Sequence, residues 1–126
     1  MQVKEKITVE KTKTGYSAYN DDGAYTTAKT FGALKANLVE ALNLHYQEEG
    51  RTFSESDLEI SFELSGFFGA YDVVNAKALA ERIGMHQSLL AQYIAGIKKP
   101  SRKQLERILA GVHELGQELM SARIAL

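Results

Sequence analysis

Five cations, Lys98, Lys99, Arg102, Lys103 and Arg107, fall within ten residues of one another, around the only proline of the chain, Pro100. Phosphate attraction acts over about a Debye length, so a local patch of this size is enough to draw a polyanion even when the whole chain is not basic. Just ahead of the cluster stand Gln87, Ser88 and Gln92. Gln92 follows Ser88 by four residues, so in a helix the three share a face. Each Gln amide carries donors beside an acceptor, which equips it to recognise another hydrogen-bonding group rather than to move protons. The groups of covalent and metal chemistry are sparse by comparison. His45, His86 and His113 are far apart and none stands in a HExxH-like spacing. The chain has no cysteine, which removes disulfides, thiol catalysis and thiolate metal sites together. No glycine-rich phosphate loop is present, and Asp21, Asp22, Glu48 and Glu49 read as a solvated hairpin and helix end rather than a catalytic pair. The expectation is a protein that is not an enzyme and that holds neither metal nor cofactor.

With 44% apolar and 25% charged residues in 126, the composition is that of an ordinary globular chain of one medium or two small domains. No apolar run approaches the ~20 residues that span a bilayer, and MQVKEKITVEK is charged where a signal peptide is apolar. A cytoplasmic location without membrane attachment follows as an expectation. The net charge of −1 conceals an asymmetry. Residues 1–74 hold 7 Lys/Arg against 12 Asp/Glu, and residues 75–126 hold 8 against 4. A basic half attached to an acidic one points to nucleic-acid binding by the basic half.

The elements that must position Gln87, Ser88 and Gln92 are legible in NAKALAERIGMHQSLLAQYIAGIKKPSRK, residues 75–103. Asn75 is a good N-cap, and Leu79, Ala80 and Ile83 follow at helical spacing. Gly84 comes directly after the last of them, where a left-handed residue ends a helix without steric cost. Only Met85 and His86 separate that stop from a second helix, Gln87 to Ala95, which must therefore leave at a steep angle, with the small Ala80 at the crossing. Gly96 ends the second helix, and Ser101 opens a third, with Gln104 three residues on. This is a helix-turn-helix. The stretch LAERIGMHQSLLAQYIAGIKKPS resembles the Cro-type (XRE) helix-turn-helix family, with Leu79, Ala80, Gly84, Leu90, Tyr93, Gly96 and Pro100 in the expected places.

That resemblance implies roles. Gln87, Ser88 and Gln92 occupy the positions that face base edges in the major groove, where a Gln amide matches adenine N7 and N6 and serine is less discriminating. Lys77, His86, Lys98, Lys99, Arg102 and Lys103 are the candidates for phosphate contacts, which set register and salt-dependent affinity. Leu89, Ala91 and Ile94 stand where the family more often has polar groups, and Ala76 lacks the polar side chain that commonly grips a phosphate.

Ahead of this lie other elements. Residues 2–11 alternate as a strand around Val3, Ile7 and Val9. Tyr16 to Asn20 and Tyr25 to Thr30 form two more, joined at Asp22-Gly23, a strong hairpin signal. Thr30 caps a helix that runs to Gly50, with Leu34, Leu38, Ala41, Leu42 and His45 along its core face. In DLEISFEL, Leu58, Ile60, Phe62 and Leu64 alternate with Asp57, Glu59, Ser61 and Glu63, which predicts a strand with one buried and one acidic face. The order β-β-β-α-β, centred on GYSAYNDDGAYTTAKTFGALKANLVEALNLHY, resembles the HicB-type antitoxin fold, without that family's frequent Pro-Gly-Cys turn and with a shortened loop after Tyr19. Ser65 to Val74 is expected to make two helical turns, Phe67, Phe68 and Tyr71 packing under the helix-turn-helix. Beyond Ser101 an apolar stripe of Leu105, Ile108, Leu109, Val112, Leu115, Leu119 and Met120 continues past Gly111 and Gly116, as core or as a dimer interface.

The fold expected is α+β, with a HicB-like β-β-β-α-β domain at 1–64 and a lambda-repressor-like helix-turn-helix domain with a long final helix at 65–126. Together the two resemblances imply a dimeric DNA-binding regulator of the antitoxin type. It would bind double-stranded DNA as a homodimer or higher homo-oligomer, repress its own operon and neutralise a small, basic, mRNA-cleaving toxin. The acidic side of the fourth strand, Asp57, Glu59 and Glu63, would attract such a partner. A stand-alone regulator without a toxin, and a protein-interaction module that has lost DNA binding, are the alternatives.

Overall fold

The computed structural model describes residues 4–125, so that Val3 lies outside the described residues. The chain divides into two compact units, Met1–Tyr71 and Asp72–Leu126. The division falls after Tyr71 rather than after Leu64.

In the first unit, β1 (Glu5–Lys11), β2 (Tyr16–Tyr19) and β3 (Tyr25–Ala28) form two consecutive antiparallel hairpins. The Asp-Gly signal is realised as a turn in which Asn20 Oδ1 accepts from the backbone N–H of Asp22 and Ala24 at 3.1 and 2.9 Å. Gly23 there takes a φ of 93°, open to glycine. Thr30 caps α1 (Phe31–His45), its hydroxyl accepting from Ala33 N–H at 3.2 Å. The buried residues of α1 are Phe31, Leu34, Leu38 and Leu42, a single 3.6-residue stripe.

After α1 the chain returns as β4 (Leu58–Phe62), which pairs in parallel with β1, Ile7 opposite Ile60 and Val9 opposite Phe62. Parallel neighbours need a crossover, and α1 supplies it. The sheet order is β3-β2-β1-β4. Ile7, Val9, Ala18 and Leu58 from the sheet meet the α1 stripe in one core cluster. Asn20, only 6% exposed, is fully employed beneath it. Its amide donates to Glu5 and to the Tyr46 hydroxyl at 2.9 Å each, while Tyr46 donates to Asp22 at 2.7 Å. The Asp22 carboxylate and burial together hold the Tyr46 hydroxyl pKa above its ordinary value.

Three expectations change here. The α-helix ends at His45 rather than running to Gly50, because Tyr46 turns inward to its buried hydrogen bonds and a short 3-10 turn, Gln47–Glu49, completes the descent. His45 is exposed rather than lining the core. The aromatic segment forms α2 (Leu64–Ala70), and its rings pack within the sheet unit. Phe67 and Tyr71 lie 5.9 and 5.8 Å from Phe62, and Tyr71 lies 5.4 Å from Phe31, all at the tilted or edge-on angles that aromatic quadrupoles favour.

The second unit is helical: α3 (Ala76–Ile83), α4 (Gln87–Ile94) and α5 (Arg102–Ser121). The protein is thus α+β, a four-stranded sheet unit followed by a helical one. Among the described residues, no helix is long and apolar enough to cross a membrane.

Candidate nucleic-acid interface

Asn75 Oδ1 accepts from Ala78 N–H at 3.0 Å and starts α3, and Gly84 ends it at a φ of 69°. Met85, buried to 6% exposure, anchors the turn, and α4 begins immediately after His86. Ala80 is fully buried between α3 and its neighbours, as a close crossing requires. Ser101 Oγ accepts from Gln104 N–H at 3.2 Å and opens α5. The small core of this unit consists of Leu79, Ala80, Met85, Leu90 and Ile108.

Within α4 only Leu90 is buried, at 1% exposure. At 3.6 residues per turn, Ser88 and Gln92 both project roughly 160° away from it, which places them on the outward side. Gln87 and Ser88 are exposed and Gln92 is half-buried. Ser88 and Gln92 thus share the outward side of the helix, whereas Gln87, at its first position, stands about 60° from Leu90 and turns toward Glu81. Leu89 and Ile94 are half-buried, so they do not form a fully exposed apolar face.

The cationic candidates divide according to what they already hold. Lys77, His86, Lys98, Lys99 and Lys103 are exposed. The Lys98 segment is fixed to the end of α4, because Gln92 carbonyl accepts from the backbone N–H of Ile97 and Lys98 at 3.0 and 3.3 Å. Arg102 pairs with Glu106 one turn on, at 3.1 Å, with 93% of its side chain exposed. Such a pair contributes little in water and does not compete strongly with a phosphate.

Arg107 behaves otherwise. Its Nη2 donates to the carbonyls of Ile83 and Gly84 at 2.7 and 2.8 Å. These are the carbonyls left without helical partners at the end of α3, and a cation is favoured there by the helix dipole as well. Arg107 therefore belongs to the turn and not to the free part of the basic cluster. A second tie joins the same helices, Arg82 donating twice to the carboxylate of Glu118. That contact raises the Arg82 pKa and lowers that of Glu118, the hydrogen bond being the larger cause of each.

Between Arg107 and Glu118, Gly111 lets α5 approach α3. A Cβ at that position would stand 2.3 Å from Ile83 Cγ2, closer than carbon atoms pack. The apolar stripe of α5 consequently splits. Ile108 and Gly111 are buried, while Leu105, Leu109, Leu119 and Met120 are exposed.

The acidic trio of the sheet unit is not uniform either. Asp57 is spent on a capping box, its carboxylate accepting from Ser54 N–H at 2.9 Å and from Ser54 Oγ at 3.1 Å. Glu59 on β4 and Glu63 at the start of α2 are exposed.

Two residues that the spacing did not single out as site residues enter the interface. Arg107 supports the turn, and Glu81 Oε1 accepts from Gln87 Nε2 at 3.1 Å. Neither contact has a sequence signature, since both cross from one helix to another.

Residues 75–111 match the helix-turn-helix family model. No curated protein and no solved structure matches the chain. The matched segment runs from the cap of α3 through the turn and α4 into α5, and it supports a sequence-specific DNA-binding transcription regulator.

Proposed function

We propose that this protein is a dimeric, non-catalytic DNA-binding regulator of the HicB-like antitoxin type, acting in the cytoplasm, which represses its own operon and neutralises a small mRNA-cleaving toxin. The observation that carries the DNA half is a helix that leaves α3 through a clamped turn with Gln87 exposed at its first position and Ser88 and Gln92 on its outward side, followed by a loop of exposed lysines. Gln87 and Gln92 read adenine-containing pairs through their amides, and Lys77, His86, Lys98, Lys99, Arg102 and Lys103 supply phosphate contacts. One such motif spans few base pairs. Two copies related by a two-fold axis read half-sites about one helical turn apart, and the exposed Leu105, Leu109, Leu119 and Met120 along α5 support self-association. The β-β-β-α-β order of the first unit supports the antitoxin half, with the exposed Glu59 and Glu63 facing a basic partner.

Binding to the promoter fragment of its own gene, measured across a salt series, tests the reading. The logarithm of the affinity falls linearly with that of salt, with a slope of about 0.9 per phosphate neutralised. Gln87→Ala with Gln92→Ala removes sequence preference and leaves the weak, salt-sensitive component. An affinity independent of salt would refute DNA binding, and unchanged specificity in the double variant would place base reading on another face. Co-purification from the native host followed by mass spectrometry decides the partner: a small basic protein supports the antitoxin role, and its absence leaves a stand-alone regulator.

A further inference from the structure

Glu81 lies in the last turn of α3, exposed, and its carboxylate reaches across the turn to the first residue of α4. Lys77, one turn earlier on α3, is exposed and forms no ion pair with it within 4 Å, and two arginines near it in sequence or at the end of α3 are engaged elsewhere. Arg82 holds Glu118, and Arg107 holds the carbonyls of Ile83 and Gly84. Among the described residues, the side-chain partner of Glu81 is Gln87, with no ion pair.

The chemistry of that contact fixes an orientation. An ionised carboxylate only accepts hydrogen bonds, so the end of the Gln87 amide that faces Glu81 is its NH2. With the N–H trans to the oxygen donated to Glu81, the amide oxygen and the N–H cis to it are left side by side for another partner. That pair is the complement of adenine N6 and N7, a donor beside an acceptor. Rotated by half a turn, the amide would meet Glu81 with its oxygen, acceptor against acceptor, so the wrong presentation is disfavoured before DNA arrives. Ala76, at the start of α3, offers no polar side chain that could perform this service instead. The unneutralised charge of Glu81 has a second effect. Placed beside the reading helix, it opposes the approach of phosphates wherever the base contact does not compensate, which holds down sequence-independent binding.

We propose that Glu81 is a positioning residue for base recognition: it fixes the Gln87 amide in the adenine-reading orientation and weakens binding to DNA that lacks that base pair. The inference rests on the DNA-binding reading above. The probe is a set of duplexes selected by the wild-type protein from a randomised pool, together with single-pair variants of the selected consensus. Glu81→Ala reduces discrimination at the pair read by Gln87 by roughly threefold, the size of one net hydrogen bond, while affinity for unrelated duplex rises. Glu81→Gln offers a donor as well as an acceptor and so no longer dictates which end of the Gln87 amide faces it; discrimination at that pair stays reduced, as in Glu81→Ala, and the non-specific affinity stays raised. In a Gln87→Ala background, Glu81→Ala changes nothing at that pair. Loss of discrimination equally at every position, or the same loss with and without Gln87, overturns the proposal as a general fold defect, and melting temperatures of the variants report that defect directly. A wild-type protein that selects no consensus overturns the DNA reading and this inference together, whereas a consensus insensitive to Glu81→Ala overturns this inference alone.

Discussion

In the unit Met1–Tyr71, a sheet face and a helix stripe close over Ile7, Val9, Leu34, Leu38, Leu42 and Leu58, and an aromatic group of Phe31, Phe62, Phe67 and Tyr71 extends the packing at one end. In the unit Asp72–Leu126, the buried apolar side chains are Leu79, Ala80, Met85, Leu90 and Ile108, and α4 contributes one of them. The first unit fixes each element many times over. The second cannot, because a helix of eight residues that keeps its outward side free for a ligand has little surface left to bury. Leu90 anchors it, and the end of α3 from which it leaves is held to α5 by a few directed contacts: the Arg107 clamp on the turn, the close approach at Gly111, and the tie between Arg82 and Glu118. With less core to share, the helical unit relies on directed contacts to hold α3 against α5.

The largest test of that contrast compares Leu42→Ala with Leu90→Ala. Both side chains are essentially fully buried, and each truncation costs about 2–5 kcal/mol of transfer and cavity energy. Leu42 shares its load with Leu34 and Leu38 on the same stripe, whereas Leu90 is the single buried anchor of α4. Leu90→Ala therefore lowers the helical melting transition at 222 nm and abolishes sequence-specific DNA binding. Leu42→Ala shifts the near-ultraviolet tyrosine transition, to which the sheet unit contributes five of the six tyrosines, Tyr16, Tyr19, Tyr25, Tyr46 and Tyr71, and Tyr93→Phe removes the contribution of α4. A Leu90→Ala protein that melts and binds like wild type would show that α4 is held by something other than its core residue.

The two glycines of α5 give the next test, and here the sign differs. Gly111→Ala drives a methyl group into Ile83 and costs about 1–3 kcal/mol as α5 is pushed off α3. A Cβ at Gly116 would meet nothing within 4 Å, so Gly116→Ala removes backbone freedom from the unfolded chain at no steric cost and stabilises by up to about 1 kcal/mol. Urea titrations of both variants read the difference. Equal effects would mean that the contact between α3 and α5 does not depend on glycine.

The division between legible and hidden features follows from how local each one is. Asn75, Gly84, Ser101, Thr30 and the Asp-Gly turn act within four residues of themselves, and each does in the structure what its type announces. The stripe of α1 and the alternation of β4 are periodic, and periodicity is visible along a line. By contrast, the parallel pairing of β1 with β4, the seating of Phe67 and Tyr71 on the sheet unit, and the Arg107 clamp join residues distant in the chain. In a sequence, an arginine bound to two carbonyls looks the same as one waiting for a phosphate. That is why Arg107 joined the basic cluster on composition and left it on geometry, and why Glu81 carried no signal beside Gln87.

The smallest expected effect concerns the polar ties of the two units, which fail at opposite ends of the pH scale. Tyr46 has a raised pKa, first from its hydrogen bond to Asp22 and then from burial. The folded state binds that proton more tightly, so its stabilisation is complete below the unfolded tyrosine value of about 10 and is lost as pH rises through the higher folded value. Glu118 is the reverse case. Its hydrogen bond from Arg82 lowers its pKa, so the folded state holds the proton less tightly than the unfolded chain. That stabilisation is complete above the unfolded glutamate value of about 4.3 and fades as pH falls through the lowered folded value. Both partners of this tie are substantially exposed, so the contribution is small and screened by salt. Glu118→Gln flattens the acid limb of a stability profile for the helical unit between about pH 3 and pH 5 at low salt, leaves the alkaline limb in place, and has almost no effect in molar salt. An acid limb that persists unchanged in Glu118→Gln would assign it to other carboxylates and leave Arg107 and Gly111 as the contacts that hold α3 against α5.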